Sequence, residues 1–353
     1  MRTYTIARAL ATHAELDLLY VRFEAPEPDT AFQSIPGITL HEVAPSRTLR
    51  RLSAYAGARL RGVPDGFARG ISHELGLGAS RLAAAPGRGR VIADGPTAAA
   101  ALSGLAARRP VIYNSHNFES GFRRELGGSG SHRALRSFER QLLSSASESW
   151  MVSQADVANA LALCPTACLR YVPNAVDVEA ITPCVEPASE RTVIYVANFS
   201  YFPNRSGLEF LLEEVLPRVW LELPDTRLKL VGAGLKQAGS WDPRVERLGF
   251  VDDLAAVYCQ ARCAVVPLLQ GGGTPLKFIE ALAYGLPTVA TSRAAAGLEV
   301  RDGEHCLIAD GPEAFSEALI RVLRDGAPEL CRRARALARK RYSIQALSEL
   351  LAS

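Results

Sequence analysis

At 353 residues the chain is about twice the ~150 expected of one domain, which predicts two domains. Its 48% hydrophobic and 22% charged residues are a globular composition and exclude a disordered chain. Lys+Arg at 40 against Asp+Glu at 37 leaves a formal charge of +3, so bulk charge gives no reason to expect nucleic acid as a partner.

In chain order, MRTYTIARAL has no long apolar core and no cleavage site, so it does not read as a secretory signal. No later apolar run reaches the ~18 residues of a membrane span. The seven cysteines are scattered, with Cys164/Cys168 and Cys259/Cys263 at i, i+4, which is not zinc-finger spacing; reduced cytosolic thiols are the expectation.

Short runs rich in Val, Ile, Tyr and Leu predict strands at 16–23, 37–43, 89–95, 110–116, 147–153 and 169–174. Helical spacing predicts helices between them, for example at 97–109 and 131–146. TPCVEPASE (182–190) holds two prolines and no periodicity and reads as a linker. The alternation restarts with strands at 191–198, 226–232, 244–250, 263–269, 286–292 and 305–310. Helices are expected at about 206–222, 252–262, 274–284 and 312–325, with two more at about 327–341 and 344–352. This predicts two Rossmann-like α/β domains, 1–184 and 190–353, facing across a cleft, the last helix being free to cross back.

QGGGTPLKFIEALAYGLPTVAT (270–291) carries the most chemistry. A strand runs into Gly271, Gly272, Gly273 and Thr274, and a helix follows. Such a loop lets backbone N–H groups approach a diphosphate, and the helix N-terminus adds partial positive charge. Lys277 could neutralise phosphate, and Glu280, almost one turn on, could accept from two ribose hydroxyls. The residue types equally describe a glycine-rich βα turn with a solvated Lys and Glu. No Gly-Lys-Ser/Thr is present, so this is not a P-loop. Nor does VGAGLKQAG (231–239) fit a dinucleotide fingerprint, because its third glycine falls at 239 rather than 237. That weighs against a nicotinamide dehydrogenase.

GGGTPLKFIEA resembles the donor motif of family 4 glycosyltransferases, retaining enzymes of the GT-B fold, in the subset G-x-G-T-R-L-K-x-x-E-A. Five further segments resemble the family in the right order: YNSHNFES (113–120), WMVSQADVANAL (150–161), LRYVPNAVDVEAITP (169–183), ANFSYFPNRSGLEFL (197–211) and LGFVDDLAAVYCQARCAVVPL (248–268). The resemblance implies transfer of a sugar from a nucleotide-diphosphate sugar to a glycan, lipid-linked or small-molecule acceptor, with retention, in polysaccharide or glycoconjugate biosynthesis. It places diphosphate at Gly271–Thr274, ribose on Glu280, Lys277 and Arg205 near phosphate, and His116 beside the reacting sugar as the catalytic candidate. The residues alone also allow His116 to cap a helix with Asn117, Glu119 to complement a helix dipole, and Arg205 to be a surface arginine.

The family often carries a second glutamate eight positions before Glu280, where this chain has Gly272; the subset's Arg is Pro275 here. No Asp-x-Asp is present, so neither metal nor cofactor is expected. A non-catalytic nucleotide-sugar-binding or truncated relative is the alternative. Arg47, Arg50, Arg51, Arg59 and Arg61, and a second cluster from Arg332 to Arg341, read either as solvated helix faces or as contacts to anionic lipid. The expected location is cytoplasmic, with peripheral contact at the inner membrane face under the second reading. Finally, the family opens with a strand and glycine loop, whereas this chain starts inside the following helix. A further strand and loop of about 20 residues before Met1 are therefore expected.

Overall fold

The computed structural model describes residues 2–22, 30–44, 48–87, 89–121, 129–184, 190–235, 241–271 and 273–352. The chain divides into two compact units, Met1–Pro173 with Leu347–Ser353, and Asn174–Ala346. Residues 174–184 group with the second unit because their bonds lead there. The Val176 amide donates to the Tyr342 carbonyl at 2.8 Å and the Cys184 amide to that of Tyr284 at 3.0 Å, while Val178 is fully buried.

In the first unit the helix Arg2–Ala11 leads into β1 (Leu16–Val21), which pairs in parallel with β2 (Ile38–Val43), Leu16 opposite Ile38. A separate parallel sheet follows the sequence order β3 (Val91–Asp94), β4 (Val111–Asn114), β5 (Glu148–Met151) and β6 (Leu169–Tyr171). A parallel sheet covered on both faces needs apolar strands, and all of β4 is buried, as are Trp150 and Met151 of β5. Ser153 caps the helix Gln154–Leu163, its Oγ accepting from the Asp156 amide at 3.0 Å.

The second unit is one six-stranded parallel sheet in the order β12-β11-β10-β7-β8-β9. Its strands are β7 (Thr192–Val196), β8 (Arg227–Val231), β9 (Val245–Gly249), β10 (Cys263–Val266), β11 (Thr288–Ala290) and β12 (Leu307–Ile308). The chain winds outward from β7 through β9, then returns to β10 beside β7 and winds the other way. The switch point therefore lies between β7 and β10, and the loops leaving their carboxyl ends flank a ligand crevice.

The expected helix at 206–222 is in fact Phe202–Phe210 and Leu216–Glu222 joined by a π turn at Leu211–Val215. Pro217 cannot donate an amide hydrogen bond, and the widened turn accommodates the break. The cysteine expectation is corrected as well: Cys184 and Cys259 form a disulfide. They are 75 residues apart in sequence, and only the docking of residue 184 on Tyr284 brings it to the end of the helix Leu254–Cys259. Among the described residues no helix is long and apolar enough to cross a membrane.

Candidate functional site

The loop after β10 is held by partners outside it. The Thr291 hydroxyl donates to the Leu268 carbonyl at 2.6 Å, Arg293 Nε to the Gly271 carbonyl at 2.7 Å, and Asn174 Nδ2 to the Thr274 carbonyl at 3.1 Å. Gly271 and Gly273 have φ of 117° and 78°, conformations that favour glycine. Gly272 lies outside the described residues. The helix Leu276–Tyr284 that follows has no side-chain cap at Pro275, so its first amides are open to an anion. Its far end closes on Gly285 in the left-handed conformation.

The helix Phe202–Phe210 that follows β7 meets this site. Gly207 sits so close to the β10 loop that a Cβ there would lie 2.5 Å from the Pro267 carbonyl oxygen. Nearby, Lys277 Nζ donates to Asn204 Oδ1 at 2.5 Å and lies 4.8 Å from the Tyr195 ring centroid. Asn204 is itself fixed, its Nδ2 donating to the Asn198 carbonyl at 2.8 Å and its carbonyl accepting from the Tyr195 hydroxyl at 3.0 Å. Burial pushes the Lys277 ammonium down to about 7. Among the described residues no carboxylate pairs with that charge, so an incoming anion would supply the neutralisation.

Glu280 is half-buried, and burial raises its carboxyl. Among the described residues no hydrogen bond or ion pair holds it. A part-buried acceptor without a donor is costly, and a ligand carrying hydroxyls would relieve that cost. Lys277 and Glu280, three apart, share a helix face. Arg205 is exposed and stacks over Phe202 at 5.6 Å, next to Asn204 in the first turn of the helix Phe202–Phe210. The structure thus brings Lys277, the glycine loop and the first turn of the helix Phe202–Phe210 together, and leaves Arg205 at the surface beside them.

In the first unit His116 follows the carboxyl end of β4. Its Nε2 lies 3.0 Å from Asp94 Oδ1, at the carboxyl end of β3. Asp94 also accepts from Asn114 Nδ2 and Thr3 Oγ1, each at 2.6 Å. Buried Arg2 donates to Asn114 Oδ1 at 2.7 and 3.1 Å and to the Val172 carbonyl at 3.0 Å; burial pushes its guanidinium down to about 10. Burial works to raise the Asp94 carboxyl, but the bonds from His116, Thr3 and Asn114 outweigh it and leave it lowered. An ionised Asp94 only accepts, so His116 donates to it through Nε2. Capping of the turn after Phe118 falls not to His116 but to Glu139, which accepts from the Glu119 and Ser120 amides at 2.8 and 3.0 Å. Burial raises the Glu139 carboxyl to about 7.

Asp94→Ala is expected to cost about 1–3 kcal/mol by stranding buried donors. The folded carboxyl is lowered, so its contribution is present above the ordinary carboxylate range and lost as pH falls through the lowered value. Denaturant melts of both proteins at pH 7 and pH 3 check this; an unchanged gap between the two pH values would contradict it.

Sequence reasoning missed Asp94, Arg2, Asn114, Glu139 and Arg293. Asp94 lay inside the expected strand 89–95, where nothing local singled it out.

Residues 190–325 match the family described as Glycosyl transferases group 1. A phosphatidyl-myo-inositol mannosyltransferase of Mycobacterium leprae is 32% identical over 167 residues, 44% of either chain. An uncharacterized 44.6 kDa protein in the cps region of Klebsiella pneumoniae is 30% identical over 139 residues, 36% of either chain. The matches thus span less than half of these curated relatives. Among solved structures, sucrose-phosphate synthase from Thermosynechococcus elongatus superposes with a TM-score of 0.71 at 18% identity, covering 98% of this chain and 90% of that one. Anabaena HepE in complex with UDP-glucose gives 0.71 at 16% identity, covering 99% and 93%. At these identities the likeness shows the fold, and the chain has the GT-B α/β architecture of its solved neighbours, with two Rossmann-like units.

Proposed function

We propose that the protein is a glycosyltransferase that moves a sugar from a nucleotide-diphosphate sugar to a hydroxyl-bearing glycan, lipid-linked or small-molecule acceptor. The observation that carries this is the unpartnered, half-buried Glu280 one turn from Lys277, on an uncapped helix at the switch point of the second unit. The diphosphate takes the open amides around Gly271–Thr274 and Lys277, and the ribose hydroxyls donate to Glu280. The solved neighbour HepE, crystallised with UDP-glucose, supports a donor of this class.

Within this reading the departing nucleoside diphosphate gains negative charge. Lys277, Arg205 and the helix amides carry it without a metal, and the anomeric configuration is retained. His116, oriented by Asp94, positions a sugar hydroxyl through the ring edge that Asp94 leaves open. Inhibition by EDTA that manganese reverses would contradict the metal-free reading.

Glu280→Ala is expected to weaken binding of UDP- or GDP-sugars about 10- to 150-fold, the equivalent of ~1.5–3 kcal/mol for a charged hydrogen bond. Calorimetry with a donor panel tests it, and unchanged affinity would sink the ribose assignment. Tight donor binding with no turnover would favour the non-catalytic alternative.

We also propose peripheral membrane contact from the cytoplasmic side. The helix Thr48–Leu60 turns Leu49, Leu52 and Leu60 outward, Leu49 and Leu60 being 82% and 90% exposed, among the exposed Arg50, Arg51 and Arg59. An outward apolar stripe flanked by cations suits an anionic lipid surface. Sedimentation with phosphatidylglycerol vesicles, but not with phosphatidylcholine vesicles, is expected and should be lost in Leu49→Glu/Leu60→Glu.

A further inference from the structure

The disulfide Cys184–Cys259 stands beside the donor helix of the second unit. It closes 75 residues of chain, with Cys259 exposed at the end of the helix Leu254–Cys259 and Cys184 half-buried. The second unit has no need of a staple. Residues 174–346 enclose a core of their own, with Val193, Val215, Leu230, Phe278 and Leu319 fully buried. The other five of the seven cysteines are unpaired, Cys168 among them although it is exposed. That distribution fits surroundings that keep thiols reduced, where a disulfide forms transiently and responds to redox state.

The bond reaches the candidate site through two tyrosines. The Cys184 amide donates to the Tyr284 carbonyl at 3.0 Å, at the end of the helix Leu276–Tyr284. Tyr258, the residue before Cys259, stacks on Tyr284 with ring centroids 4.5 Å apart and planes at 20°. Its hydroxyl donates to the Lys277 carbonyl at 3.5 Å. Burial, and then the Glu280 carboxylate, raises the hydroxyls of both tyrosines, which places Glu280 beside the pair. The helix Leu254–Cys259 has six residues, too few to hold its shape unaided. With the bond closed, its carboxyl end is fixed to Cys184, and the Tyr258 ring is held against the helix that carries Lys277 and Glu280.

We propose that Cys184–Cys259 is a reversible redox clamp on the donor site, closed in the form that binds and opened by a cellular dithiol. This role rests on the donor-site reading of Lys277 and Glu280. One thiolate of the dithiol attacks the sulfur of exposed Cys259 and expels the Cys184 thiolate. The second thiol of the reductant then breaks the mixed disulfide and releases Cys259. The reductant leaves as a disulfide, and the two electrons and two protons it gives up end on Cys184 and Cys259. Once open, the short helix Leu254–Cys259 keeps its Asp253 cap but loses its tether at the other end. The brace that Tyr258 gives the Lys277/Glu280 helix loosens with it.

The test measures UDP affinity by calorimetry on the full chain, oxidised with glutathione disulfide or reduced with dithiothreitol, with thiols counted in denaturant. Reduction is expected to raise the count from five to seven and to weaken UDP binding by about fivefold or more. Reoxidation should restore both. Cys259→Ser should bind as weakly as the reduced parent whether or not reductant is present, whereas Cys168→Ser should respond as the parent does. Seven thiols after oxidation, or equal UDP affinity in the two states, would overturn the clamp. UDP binding by neither state would instead overturn the donor-site reading, and hydrogen exchange then decides the clamp. Amides of Leu254–Cys259 and Leu276–Tyr284 should exchange about tenfold faster or more on reduction, and unchanged exchange would overturn it.

Discussion

Phe278→Ala is expected to destabilise the second unit by about 3–5 kcal/mol. Phe278 is 0% exposed and packs with Val178, Val266, Leu282, Ala290 and Tyr342. Removing the ring leaves a cavity that the surrounding helices cannot close, since each is tied by its own bonds. Arg335, for example, anchors the helix Pro328–Tyr342 to the carbonyls of Ala283 and Ile181. The loss is a large part of the ~5–15 kcal/mol that a domain has in total. Phe278→Leu, which keeps most of the volume, should cost under about 1.5 kcal/mol. Urea melts of the three proteins decide; equal midpoints for the alanine variant and the parent would show that the helix is not seated as described.

Donor binding should draw a proton from solution above pH 7, and Lys277 is the group that takes it. Its folded value of about 7 lies below the ordinary 10.5, because burial disfavours the ammonium. Between those values the unfolded chain holds more protons, so this residue makes stability rise with pH from about 7 to about 10.5. A bound diphosphate favours the charged form, so binding restores the proton. Affinity for UDP should therefore fall by up to about tenfold per pH unit above 7. Lys277→Met should lose that dependence and bind about 10- to 150-fold more weakly at pH 6.5. Calorimetry at pH 8 in buffers of different ionisation enthalpy reads the uptake directly. Enthalpies that do not change with buffer would rule out Lys277 as the phosphate partner.

Among the described residues every strand falls on an expected one, and the central strands β4, β7 and β10 stand out most plainly because strands buried on two faces read as continuous apolar runs. The glycine loop and the Lys277/Glu280 spacing were legible because both are local. What the sequence hid are pairings over distance. Asp94 meets Thr3 across 91 residues, Arg2 meets Asn114 across 112, and Lys277 meets Asn204 across 73. None of these leaves a local signature, since each partner alone is an ordinary polar residue at the end of a strand or helix. Glu139 looked like one more charge on an amphipathic helix until its carboxylate was found on two loop amides.

The division of the chain also sets an order of events on the ribosome. The first unit is discontinuous: Leu347–Ser353 belongs to it, after the whole of the second. Ser348 is bonded by Thr12 at 2.5 Å and by His13 at 2.8 Å, and Arg170 holds the Leu350 carbonyl. Thr12 and His13 thus wait for Ser348 before their unit is closed, while the second unit needs nothing beyond Ala346. Nascent chains should accordingly show a protease-resistant second unit before a resistant first one, the reverse of the usual amino-terminal-first sequence. Removing residues 347–353 should therefore unsettle the surroundings of Thr12 and His13, which Ser348 meets across more than 330 residues of sequence.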